Sequence, residues 1–362
     1  MQFKPDIDKV RERLYAFWER ELIDRACIAV VAPREKGAHI SMFHNDRDLT
    51  NDPEALRCYW EDPETILNNA ISRMERTFFG GDALPMVFQN YGTSGHCRYF
   101  GAKPLYGNDT IWFDPVWQSL EDVHNSYTEE ALKMELEIAK YLTEHAQGRY
   151  FVAMPDNCGT LDAIGHLYGT ENVLMDMLTA PEQLKEASRI LNEAWIKTSE
   201  MFYRISESLN GGGAHAWMHL LAPGRLNHMQ CDMSVMFSPH MFEQFVLPEL
   251  EQQMEWLEYP VYHFDGIEQE RHLSMILSLP KLKAIQWTYV AGQPAPSKYL
   301  SILKKIQKAG KSLIIMAPPG DIPALLDNLS AKGLYLNTET QTPEEADDIV
   351  RYVEKHSKEN PV

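Results

Sequence analysis

Cysteine is scarce and never closely spaced: Cys27, Cys58, Cys97, Cys158 and Cys231 stand singly, with no C-x-x-C pair. An odd count without close pairs makes neither a disulfide framework nor a zinc ribbon, and points to a reducing, cytoplasmic compartment. Basic charge is also short, with 34 Lys and Arg against 52 Asp and Glu and a net charge of -18. That balance argues against nucleic acid and against an anionic membrane surface, so any anionic ligand must be held by a local basic group. No apolar run approaches the ~18 residues of a membrane span, and the opening Met-Gln-Phe-Lys-Pro-Asp lacks an apolar signal region. Neither insertion nor secretion is expected. Low-complexity linkers, charge blocks and internal repeats are missing as well, which leaves no reason to divide the chain, and one domain over 1–362 is expected.

What is present suits a folded enzyme-sized chain, since 44% hydrophobic and 24% charged content supports a sizeable core. From about Leu84 onward short apolar runs alternate with amphipathic helical stretches, the pattern of a parallel sheet covered by helices. The candidate strands are Pro85 to Tyr91, Tyr150 to Pro155, Ala214 to Leu221, Pro260 to Asp265, Lys283 to Thr288, Ser312 to Ala317 and Gly333 to Asn337, with an earlier run at Cys27 to Val31. Eight such strands predict an α/β fold, a (β/α)₈ TIM barrel, with the remainder of residues 1–80 as an N-terminal helical extension. Thr128 to His145 and Pro181 to Leu209 carry helical spacing and read as scaffold. Ser238-Pro239 ahead of Met241, Phe242, Phe245, Val246 and Leu250 reads as a capped helix start.

In such a barrel the chemistry lies at the carboxyl ends of the strands. The most informative end is Pro260-Val-Tyr-His-Phe-Asp-Gly266, where His263 and Asp265 are two apart and leave the same face of an extended backbone. The other ends supply Asn90 and Tyr91 before the Gly92-Thr93-Ser94-Gly95 turn, then Asp156, Asn157 and Cys158, then His215, Trp217 and His219. Gln286 and Trp287, Pro318 and Pro319, and Asn337 and Glu339 follow. This polar and aromatic ring suits a small-molecule pocket, with Asn90, Tyr91, His215, Trp217, His219, Gln286 and Trp287 as substrate-binding candidates. Asp156, His263 and Asp265 are the catalytic candidates. One imidazole and two carboxylates, His263, Asp265 and Glu339, have the chemistry to hold zinc or another divalent metal with positions left for water or substrate. The competing structural reading has Asp265 accepting hydrogen bonds from its loop and Glu339 merely preceding the last helix. His228, Cys231 and Asp232 form a second candidate cluster. Trp217, Trp287, Tyr91 and Tyr262 are candidates for an aromatic cage around a methylated amine, with core packing as the alternative.

With these residues placed, the chain resembles the uroporphyrinogen decarboxylase superfamily, and within it the corrinoid-dependent methyltransferases. The resemblance rests on Asp232…Phe237-Ser238-Pro239…Phe242…Phe245…Pro248, on Tyr262-His263-Phe264-Asp265-Gly266 and on Thr342-Pro343-Glu344-Glu345. It implies a barrel with its site at the strand carboxyl ends, and a corrinoid supplied by a partner protein. Two departures shape the expectation. No match to the decarboxylases' N-terminal arginine motif occurs between Met1 and Val31, which argues against porphyrinogen decarboxylation. The family's zinc methyltransferases use His-x-Cys and a late cysteine, where this chain has Asp265 and approximately Glu339, and no cysteine follows Cys231. Carboxylates make a harder metal site, suited to polarising an oxygen or nitrogen of a methyl donor or to activating a bound water rather than to activating a thiol.

The leading expectation is a methyltransferase moving a methyl group between a small substrate and a corrinoid protein or cobalamin, assembled as a homodimer. The alternatives are a metal-free decarboxylase or lyase with Asp156 or Asp265 in acid-base work, and a non-catalytic barrel that binds a ligand or partner.

Overall fold

The computed structural model describes residues 1–360. Its strands, in chain order, are β1 (Cys27–Pro33), β2 (Thr77–Gly81), β3 (Met86–Val87), β4 (Pro104–Tyr106), β5 (Ile111–Phe113), β6 (Phe151–Val152), β7 (Gly213–His215), β8 (Leu220–Ala222), β9 (Leu226–Met229), β10 (Tyr259–Phe264), β11 (Ala284–Trp287), β12 (Ser312–Met316) and β13 (Leu334–Glu339). Seven of them make a continuous sheet in the order β2-β1-β13-β12-β11-β10-β9. Every pairing in it is parallel except β2 against β1. The parallel alternation of strand and helix expected from the sequence is therefore present. The hydrogen-bond ladder, however, does not trace the expected ring of eight strands, because it ends at β2 on one side and β9 on the other. β3 and β6 pair with each other, and Met154 donates its N–H to Ala214 O at 3.3 Å beside β7.

Alternation along the strands sorts side chains into two cores. Tyr262, Phe264, Ile285, Trp287, Leu313, Ile315, Leu334 and Leu336 pack with the outer helices. Val261, Ala284, Ile314 and Tyr335 face inward, where they meet Met86, Phe151 and Ala214 of β3, β6 and β7. The Ile7–Trp18 helix adds Val10, Leu14, Phe17 and Trp18 to that inner core, and Trp18 Nε1 donates to Leu221 O at 2.8 Å. This helix covers the amino ends of the strands.

The N-terminal region holds the expected helices at Ile7–Trp18, Pro53–Glu61 and Pro63–Arg76 around β1. The expected helix caps form as well: the Ser238 side chain accepts from Met241 N (3.3 Å) and Thr342 from Glu345 N (3.2 Å). The Ser238 helix stops at Phe245, and a second one runs Leu247–Trp256 with Pro248 in its first turn. The run 214–221, expected as one strand, is two antiparallel strands, β7 and β8, joined by a turn in which His219 takes a φ of 52°. A backbone reversal of that kind is incompatible with an unbroken strand.

Candidate active site

The inner face of β10 carries Val261 and then His263, and register pairs His263 with Gln286 on β11. Both polar side chains therefore stand on the inward face, above the apolar layer. Gln286 Oε1 makes a short hydrogen bond to His263 Nδ1, which leaves the imidazole Nε2 for the cavity side. The chain leaves β10 through Asp265 and Gly266, the latter at φ +84°, where a Cβ would lie 2.9 Å from Val290 Cγ2. Gln269 closes this corner, accepting the Asp265 N–H at 3.3 Å and donating to Cys231 O at 3.1 Å. One amide thus ties the exit of β10 to the exit of β9.

From β9 the chain reaches Asp232, whose backbone N–H and that of Met233 both donate to Asp162, each at 2.9 Å. Gly159 precedes the helix bearing Asp162, and a Cβ there would lie 2.0 Å from Gln230 O. Only a glycine permits this approach of the two loops. The result is a cluster of Asp232, His263 and Asp265 whose ligand-capable atoms lie within 4.8 Å of one another. Gln230 Nε2 holds Asp232 Oδ2 at 3.0 Å, while Asp232 Oδ1 is buried without a partner. Burial, followed by the negative charges of Asp265 and Asp156, pushes the Asp232 carboxyl up to about 7. A cation would relieve both the orphaned oxygen and the crowded charge, so two carboxylates and one oriented imidazole fit a divalent metal.

A second group of side chains borders this cluster. His228 Nε2 lies 3.0 Å from Asp156 Oδ1, His215 Nε2 lies 2.8 Å from His228 Nδ1, and Trp217 Nε1 donates to Asp156 Oδ2 at 3.1 Å. Burial opposes charge on both members of the Asp156–His228 pair. Their mutual attraction wins, holding Asp156 below the usual carboxylate range and His228 above the usual imidazole range. Burial and the neighbouring His228 push His215 well down, so the network assigns the proton to His228 and leaves His215 neutral. Burial, then the His228 charge, also lowers His263. Trp217 stands edge-on to His215, His228 and His263, with ring centroids 4.9, 5.6 and 5.7 Å away.

The structure therefore brings together Asp156, His215, Trp217, His263, Asp265 and Gln286 of the sequence candidates. Glu339 does not join them. It ends β13, three ladder steps from β10 or on the order of 14 Å along the sheet, and it lines a cavity of about 370 Å³ with Val31, Trp217, His219 and Tyr289. Asp232 takes the place expected for Glu339, while its neighbour Cys231 stays buried in the outer core. Trp287 is stacked on Phe264 at 5.4 Å and, with Tyr262, faces the outer helices, so of the proposed cage only Trp217 reaches the site. Tyr91 is buried in a third core with Val87 and Val152. Asn90 Oδ1 accepts the Gly92 N–H at 3.0 Å, which orders the turn. His219 Nδ1 lies 3.1 Å from both N and O of Leu84, and burial lowers its pKa to about 4. It props the inner wall.

No protein-family model and no curated protein matches the chain. Among solved structures, a methyltransferase from Methanosarcina mazei shares the fold, with a TM-score of 0.61 and 14% sequence identity over 96% of this chain and 98% of that one. The likeness is one of architecture across nearly the whole length of both chains.

Proposed function

We propose that the protein is a barrel-type methyltransferase, its ring completed by β3, β6 and β7, that moves a methyl group between a small substrate and a corrinoid protein or cobalamin. The observation that carries the reading is the convergence of Asp232, His263 and Asp265 within 4.8 Å at the strand ends. It stands in a fold shared end to end with a methyltransferase. When bound by these three residues, a divalent metal such as zinc would supply Lewis acidity toward an oxygen or nitrogen of the methyl donor. Gln286 and Gln230 fix the imidazole and one carboxylate, and Asp156–His228 holds a proton beside the cluster. Trp217 offers an indole edge and face as an apolar wall for the transferring group.

Elemental analysis of purified protein tests the metal: about one divalent ion per chain is expected, lost in Asp232→Asn and His263→Ala. A metal-free wild type, or unchanged content in both variants, removes this part of the reading. Loss of the cob(III)alamin spectrum on mixing methylcobalamin, protein and acceptor tests the transfer. A carboxy-lyase is the second reading, favoured by the Asp156–His228 pair as an acid-base unit. Chelator-insensitive carbon dioxide release, abolished in His228→Gln, would select it.

A further inference from the structure

Arg73, on the Pro63–Arg76 helix, is a cation without an anion. Among the described residues it forms no ion pair, and one of its five N–H groups is used, Nη2 donating to Met86 O at 3.1 Å. Burial pulls it down to about 10, so it remains charged at neutral pH. The chain contains 52 acidic side chains, and this partly buried guanidinium, unpaired by any of them, is open to an anion from outside the chain.

Its surroundings point to what that is. Arg73 lines two small adjoining cavities of about 60 and 80 Å³, which share Met42. The first also presents three buried polar atoms without partners, Asn69 Nδ2, Gln89 Oε1 and Tyr91 Oη. Gln89 and Tyr91 are only 3% and 2% exposed, so these are orphans that water at the surface does not satisfy. The second cavity is walled by Glu339, which does not line the first, and by Trp217, the same indole that stands edge-on to His263. Trp217 is thus the side chain that the second cavity and the Asp232–His263–Asp265 cluster have in common.

We propose that Arg73, assisted by Asn69 Nδ2, anchors a carboxylate of the substrate, which makes the substrate a small organic acid whose other end points toward Trp217. A planar carboxylate matches the guanidinium fork, and the cavity volumes restrict the anchored part to a few heavy atoms. Gln89 Oε1 and Tyr91 Oη are left for a hydroxyl, amine or water next to it. This inference rests on the substrate site proposed above, and it extends that reading to the class of substrate.

Isothermal titration with two matched pairs, methoxyacetate against 2-methoxyacetamide and 3-methoxypropionate against 3-methoxypropionamide, tests the anchor without any turnover. The wild type is expected to bind at least one acid roughly tenfold or more tightly than its amide. Arg73→Gln should abolish the preference and Arg73→Lys should keep part of it, with thermal unfolding showing both variants folded. Should Arg73→Gln fail to fold, Asn69→Leu carries the test, with a reduced preference expected. Failure of both acids to bind, equal binding of acids and amides, or a preference that survives Arg73→Gln overturns the proposal. Asp265→Asn separates the two readings: the acid preference should persist there even as metal content falls. Normal metal content without an acid preference overturns the anchor alone.

Discussion

His263 and Gln286 face the same side of neighbouring strands because parallel register places them opposite each other, and each then fixes the other. The amide oxygen at Nδ1 decides which imidazole nitrogen is left for the site. Gln286→Leu keeps the volume and removes that acceptor, so zinc affinity measured by titration should fall by about 10- to 100-fold. Thermal stability should change much less, since the amide's other partner is the nearby Thr288 hydroxyl at 3.2 Å. Affinity unchanged within twofold would mean that Gln286 does not orient the ring. At this scale the sequence was most informative where alternation operates. The spacing of His263 and Asp265 was enough to set the two side by side, while Tyr262, a cage candidate from the sequence, lies with Phe264 on the opposite face. Trp287 obeys the same rule, one residue beyond Gln286 and therefore in the outer core.

Loops, more than strands, complete the cluster. Asp232 follows β9, and that strand, Leu226–Met229, carries Asn227 and His228 in place of an apolar pattern. Its His228 turns inward toward Asp156 and His215, a burial that only their mutual pairing makes tolerable. This is why a periodicity reading passes over the strand and leaves Asp232 in a separate cluster. The closeness of the Gly159 and Gln230 loops is the hinge of the arrangement, and it yields a sharp expectation. Gly159→Ala must displace Gln230 and with it Asp232, because the added Cβ would sit 2.0 Å from a carbonyl oxygen. A loss of about 1–3 kcal/mol in urea denaturation, together with reduced metal content, is expected. Gly320→Ala, where nothing lies within 4 Å of the added Cβ, is the control and should be neutral within about 0.5 kcal/mol. Equal behaviour of the two variants would contradict the close-approach argument.

Across the whole molecule the acidic surplus reaches into the interior. Burial raises Glu135 to about 7 although Arg98 lies 3.3 Å away, because that arginine is shared with Glu61 at 2.6 Å. Burial likewise raises Glu249 to about 7, with its Thr160 N–H bond at 2.7 Å opposing the shift. Both groups ionise near pH 4.5 in the unfolded chain, so between about 4.5 and 7 the folded state binds more protons than the unfolded one. Stability should therefore decline as pH rises from 5 to 8. The paired variant Glu135→Gln with Glu249→Gln should flatten that slope in urea denaturation, and an unchanged slope would assign the effect elsewhere.

The amino-acid order alone determined the alternation of strand and helix, the capped helices after Ser238 and Thr342, and the nearness of His263 to Asp265. All of these follow from local periodicity and capping, which act within a few residues. Tertiary structure decided the rest, because it depends on distances between segments far apart in the chain. The order of strands in the sheet separated Glu339 from His263, and the contact of Gly159 with Gln230 brought Asp232 in its stead. The packing of the N-terminal helices left Arg73 on the wall of two cavities without an ion pair among the described residues, and no spacing of residues in the sequence expresses the absence of a partner.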